Sequence, residues 1–156
     1  MDLAEHFRLT AYAVNYITPL LLPEGYDTTT DESAVNSLEK VQALYNEEGR
    51  IVVWSGGSDN TIYGSPKTNH NFRAWHDFLH VTLGATFTEA GERTVCDKHV
   101  HQVALYLSHK FNKTQLDAVA RTLDAEINGQ VGYYLQNGVF VTDQRNFMEQ
   151  YLMNKL

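Results

Sequence analysis

Between Asn69 and Leu83 the chain reads NHNFRAWHDFLHVTL, and few folds accommodate such a segment. Phe72, Trp75, Phe78 and Leu79 recur at the spacing of one helical face, yet His70, His76, Asp77 and His80 are set among them. A helix turns by about 100° per residue, so His76 and His80 stand one above the other and their ring nitrogens can converge on one point. A buried polar group left without a partner costs about 1–3 kcal/mol, so imidazoles on an apolar face have to be answered by something. The segment therefore predicts a helix that carries either a metal site or a hydrogen-bonded polar seam between helices.

The chain around it has 156 residues, enough for one domain spanning 1–156 with a core of its own. A single cysteine, Cys96, excludes an internal disulfide and a zinc ribbon, which leads to the expectation of a cytoplasmic protein. A net charge of −7 works against binding a nucleic-acid backbone, which draws on clustered Lys and Arg. No apolar run reaches the roughly 20 residues of a membrane span. The longest, Ala11 to Leu22, is broken by Asn15 and Pro19, and it follows Asp2 and Glu5 where a signal peptide would be basic.

Taken in order, Leu3, Phe7, Val14 and Ile17 mark a helix over 3–18 that ends near Pro19. Leu20 to Thr30 reads as a loop, and Asp31 as the cap of a second helix from about Ser33 to Asn46, stopped by Gly49. Arg50 to Trp54 and Thr61 to Tyr63, flanking the turn residues SGGSDN, predict a small β-hairpin. The serial glycines of that turn also suit an anion loop, but the Lys-Ser/Thr ending and the following helix are missing. The histidine helix, with Asn69 as its cap, ends at Gly84, and Thr88 opens another that runs to about Lys110. A helix from Thr114 to about 136, a short extended piece over Val139–Val141, and a last helix capped by Thr142 complete the chain. In that last helix Phe147, Tyr151 and Leu152 are expected to pack inward. The fold class expected is mainly α, a single-domain helical bundle with one small hairpin.

On the helix after Gly84, Glu92, Cys96, His99, Val103 and Tyr106 share a face, whereas His101 points away from it. Glu126, a turn before Gln130 on the next helix, can reach the same interior point. The candidate ligands are thus His76, His80, Glu92, His99 and Glu126, from three successive helices. Imidazoles with one or two carboxylates suit a divalent transition metal, Zn, Mn or Fe, better than Ca or Mg. Asp77, about 100° round from His76, is a candidate general base or a partner for a ligand's ring proton. Arg73, one turn earlier, could hold a phosphate with its planar fork or make a surface salt bridge.

The HDxxH spelling is similar to the HExxH helix of metalloproteases, with Asp77 in the glutamate position. The His76–Asp77 doublet also resembles the centre of the HD-domain phosphohydrolases, helical metal enzymes that act on nucleotides. That resemblance implies an upstream histidine, His6 or His70, and a downstream aspartate, Asp117 or Asp124. The pattern from SDNTIYGSP through FRAWHDFLH to FTEAGE, residues 58 to 92, resembles small uncharacterised proteins encoded by bacteriophages, which implies no particular activity. Two functions are therefore expected of the chain. One is a metal-dependent hydrolase acting on a nucleotide or related small phosphorylated molecule. The other is a non-enzymatic viral accessory protein that covers a host protein's basic site with its acidic surface, in the host cytoplasm.

Overall fold

In the computed structural model, which describes residues 1–155, the chain is mainly α-helical, and most helices begin on a side-chain cap. Asp2 accepts the Glu5 N–H at 2.8 Å and opens α1 (Leu3–Leu21). The helix runs on through Pro19, past its expected end. Proline removes only one ladder bond this close to a terminus, and Ile17 and Thr18 are buried, with the Thr18 hydroxyl donating to Asn71 O at 3.0 Å. That anchorage keeps the residue before proline helical against its local preference.

The second predicted helix is two elements, a 3-10 turn over Glu32–Val35 capped by Asp31 and α2 (Leu38–Glu48) capped by Ser37. Ser37 is extended, and its hydroxyl takes the Lys40 N–H, so the chain restarts a helix where the periodicity alone reads straight through.

The predicted hairpin is not formed. Asp27–Thr29 (β1) pairs with Val52–Trp54 (β2), and the pairing is parallel, in the register Asp27 to Val52 and Thr29 to Trp54. Parallel strands need a crossover of a dozen residues or more, which α2 and its flanking turns supply. Thr61, Ile62 and Tyr63, expected as the return strand, are buried in an irregular turn, and their apolar character serves the core.

Helix α3 (Pro66–Leu83) carries the histidines; Ser65 caps it through the Thr68 N–H at 3.1 Å, so it begins before Asn69. Helix α4 (Glu89–Leu107) is capped by Thr88, and α5 (Lys113–Asp124) by an Asn112–Gln115 capping box. The continuous helix expected from Thr114 to about 136 is interrupted by a π-helical turn, Ala125–Gly129, before α6 (Gln130–Asn137). Val139–Val141 is not a strand, and Asp143, not Thr142, accepts the Asn146 N–H at 3.0 Å to start α7 (Gln144–Lys155). Inward packing of this helix rests on Met148 and Leu152, with Phe147 and Tyr151 partly buried against the core.

α3 stands between two apolar clusters. Phe72, Trp75 and Leu79 face the larger one, which α1, α4 and α5 complete with Ile17, Val103 and Leu123. Ala74 and Val81 face the smaller one, built on Val41, Ile51 and the β2 residues Val52 and Val53. No helix among the described residues is long and apolar enough to cross a membrane.

Candidate metal centre

His80 lies in the last turn of α3, with its side chain fully buried, and the turn that ends the helix decides how its ring points. Gly84 takes the left-handed conformation (φ 62°), a conformation open to glycine at little cost. The chain then folds back, so that the Ala85 N–H bonds to His80 O at 3.0 Å while the Ala85 carbonyl accepts from His80 Nδ1 at 2.7 Å. That second bond places the ring proton on Nδ1 and leaves Nε2 with its lone pair facing inward.

Glu92 enters from the first turn of α4. Its Oε2 lies 2.9 Å from His76 Nε2 and its Oε1 3.2 Å from His80 Nε2, and the two ring nitrogens are 3.1 Å apart. Two ligand atoms at about 2.05 Å from a tetrahedral ion would be about 3.3 Å apart. The two ring nitrogens, at 3.1 Å, are close to that, each with its own Glu92 oxygen beside it, while one ligand atom from each of the three residues lies within 4.8 Å of the other two. Gly91 makes this approach possible: a Cβ there would lie 1.8 Å from the Thr86 carbonyl oxygen.

Without an ion the protons do not satisfy everyone. Burial works against a charged His76 ring, but the charge of Glu92 and its hydrogen bond outweigh it and raise the group above 6.5. Burial would likewise raise the Glu92 carboxyl, and the charge and hydrogen bonds of His76 and His80 pull it far below its ordinary value instead. His80, with its proton fixed on Nδ1, can hydrogen-bond to Glu92 only as a cation. A divalent ion would remove the conflict, since it could take the lone pairs of both histidines and the carboxylate at once.

His76 Nδ1 lies 3.1 Å from His99 Nε2, and His99 is itself fully buried with its Nδ1 lacking a partner. His99 therefore supports His76 from behind and is not one of the three converging atoms. Burial and the neighbouring His76 hold its own protonation well below the usual histidine range. A ligand histidine whose second nitrogen is held by another group is the usual arrangement at metal sites. His99 is placed to fill this role for His76, and the Ala85 carbonyl for His80, were the two rings to hold an ion. Phe72 stacks on both His76 and His99, and Trp75 packs edge-on against His99 at 4.1 Å while its indole N–H donates to Gln102 at 2.7 Å.

His76 and Glu92 open onto a cavity of about 460 Å³ that Glu126 also lines. Glu126 sits on the π-helical turn, a widened geometry often found at functional sites. It is 7% exposed, its Oε2 has no partner, and burial raises its carboxyl to about 7 against the pull of Arg73. Tyr63, whose hydroxyl is likewise buried and unpartnered, stacks on Phe72.

The other expected residues lie elsewhere. Asp77, which burial raises to about 6 against His76 and His80, lines a neighbouring groove with Arg73, Glu32 and Trp54. Arg73 donates Nη1 to the carbonyls of Trp54 and Gly56 and Nη2 to that of Gly57, and its guanidinium lies over the Trp54 ring. It fastens the glycine turn, which presents carbonyls to it rather than amides to an anion. His70 reaches Ser55 O, Asp117 pairs with Lys113 on the surface, and Asp124 accepts from Asn128. His6 is buried beside Asp117 and Arg121, away from the centre. His101 is exposed, as its direction on the helix requires.

The Ala85 carbonyl, Gly91, and Phe87, whose ring packs edge-on against His80 at 4.6 Å, escaped the sequence reading. Only the glycine was visible as a signal, one residue before a candidate ligand inside a helix, where it costs stability unless a close approach demands it. The chain matches no protein-family model, no curated protein and no solved structure.

Proposed function

We propose that the chain is a metal-dependent hydrolase acting on a small molecule, with His76, His80 and Glu92 as the ligands of one divalent transition ion. The observation that carries this reading is the convergence of two imidazole Nε2 atoms and a carboxylate at 2.9–3.2 Å on the wall of a cavity, with one lone pair fixed by the Ala85 carbonyl. Two nitrogens and a carboxylate suit Zn, Mn or Fe(II), and three protein ligands leave a coordination position for chemistry. When bound, such an ion supplies Lewis acidity and makes a coordinated water more acidic.

Glu126 has the position and the protonation behaviour of a proton-transfer group: it lines the same cavity and is poised near neutrality. It takes the role that the sequence suggested for Asp77, whose carboxyl faces the adjoining groove. Glu126 shares the ligand cavity, but its carboxylate is not among the converging atoms.

The test is turnover by metal-free protein reloaded with Zn, Mn or Fe(II), assayed on nucleoside phosphates and on amides and esters. Activity should fall by at least about 10²-fold in His80→Ala, persist in His101→Ala, and drop in Glu126→Gln with the ion retained. No turnover of any substrate with any of these ions would overturn the hydrolase reading.

A further inference from the structure

The cavity beside the centre has two unlike parts. One is acidic, the carboxyl groups of Glu92, Glu126 and Glu89, and no lysine or arginine lines the cavity among the described residues. The rest is largely apolar, with Phe72, Phe87, Ile127, Val131, Leu135 and Phe140 beside the uncharged polar side chains of Asn36, Thr88 and Gln130. The nearest arginine, Arg73, opens onto the adjoining grooves, and three backbone carbonyls occupy its fork.

The apolar part is also unusual in what it leaves uncovered. Helix α6 has no buried residue, and its Leu135 is 59% exposed while Phe140, beyond it, is 69% exposed. Tyr134, 41% exposed, stacks on Phe140 at 4.5 Å. Large apolar side chains gathered at the mouth of a cavity, and not packed into the core, are covered when something apolar enters it.

We infer that the substrate of this site is an uncharged amide or ester bearing an aromatic or branched apolar group, seated against Val131, Leu135 and Phe140, and not a phosphate ester. The inference rests on the hydrolase reading above. One ion held by Glu92 keeps a single net positive charge, and a phosphate dianion placed on it would face Glu126 and Glu89 with no cationic side chain in the cavity wall to donate to it. Arg73 acts on Glu126 only from the adjoining groove, with its fork already filled. An uncharged carbonyl meets no such repulsion, and its apolar group removes the exposed surface of α6 from water. The reaction consumes one water. Its oxygen bonds to the carbonyl carbon, and the C–N or C–O bond breaks with its electron pair on the leaving atom. That atom takes up a proton relayed by Glu126, giving a carboxylic acid and an amine or alcohol.

The experiment is binding to the metal-free protein, followed by backbone-amide NMR titration, of N-acetylphenylalaninamide, ethyl phenylacetate and phenyl phosphate. At least one neutral probe should bind at least about tenfold more tightly than phenyl phosphate. Leu135→Ser and Phe140→Ala should each weaken that binding by about fivefold or more with the melting temperature unchanged, because both side chains are exposed. Phenyl phosphate binding as tightly as the neutral probes, failure of both neutral probes to bind, or indifference to both substitutions would each overturn the inference. Because no ion is present, these results stand apart from those that decide the hydrolase reading, which are metal uptake and turnover.

Discussion

His80 is constrained from both sides of its ring, by the Ala85 carbonyl on Nδ1 and by His76 and Glu92 around Nε2. His76 has His99 in the corresponding place, and removing that support should be felt at the ion. His99→Ala is expected to lower zinc affinity by about 10–100-fold, read by competition with a chromophoric chelator, while the triangle of ligands stays intact. Unchanged affinity would make His99 a packing residue only. Glu126 allows a prediction of opposite character. Its carboxyl rises to about 7 in the folded protein from an ordinary 4.5, so the folded state holds a proton that the unfolded chain releases. Its contribution to stability is therefore undiminished below about pH 4.5 and falls as pH rises toward 7. Glu126→Gln removes that penalty, and in urea unfolding it should be more stable than the parent at pH 8 by on the order of 1–3 kcal/mol and equal to it near pH 4. Equal stability at both pH values would show that Glu126 is better solvated than its burial implies. Glu92 has the reverse sign. Its depressed carboxyl contributes stability above its ordinary 4.5, and the contribution is lost as pH falls below that toward the folded value.

At the level of elements, the centre depends on two glycines that shape the connection between α3 and α4. Gly91→Ala forces a methyl against the Thr86 carbonyl and must push the first turn of α4, and Glu92 with it, away from the histidines. It should cost about 1–3 kcal/mol in stability and lower zinc affinity together, measured by thermal unfolding and zinc titration. Gly84→Ala meets no neighbour, so its cost is limited to the left-handed backbone, about 1–2 kcal/mol. The helices themselves were legible because their stripes and caps are local properties: the stop at Gly84 and the start at Thr88 are where the residues put them. What was not legible is set by distant partners. Nothing near Val52 says that it pairs with Asp27 across α2 instead of with Ile62, and nothing within 114–136 says that the helix widens at Ala125. The single helix read through Ser37 failed for a different reason, since a serine can cap as readily as it can continue, and periodicity does not choose.

On the scale of the whole molecule, α3 joins two apolar clusters and holds the site at their boundary, so the centre ties α3 to α4 where the larger cluster ends. Three of the five expected ligands, His76, His80 and Glu92, converge because helical spacing fixes which residues share a face. His99 and Glu126 share those faces but meet the centre from behind and across a cavity, distances that periodicity does not encode. An ion that binds only this folded arrangement stabilises it by mass action, so chelation should lower the melting temperature of metal-loaded protein and leave His80→Ala unaffected. The most direct measurement is elemental analysis of untagged protein dialysed to equilibrium against micromolar zinc. About one zinc per chain in the parent, and none above background in the variant carrying both His76→Ala and His80→Ala, is the result expected of a coordination set of this geometry. A parent protein that holds no more zinc than the double variant would mean that His76, His80 and Glu92 form a hydrogen-bonded seam between helices, and that the centre binds no metal.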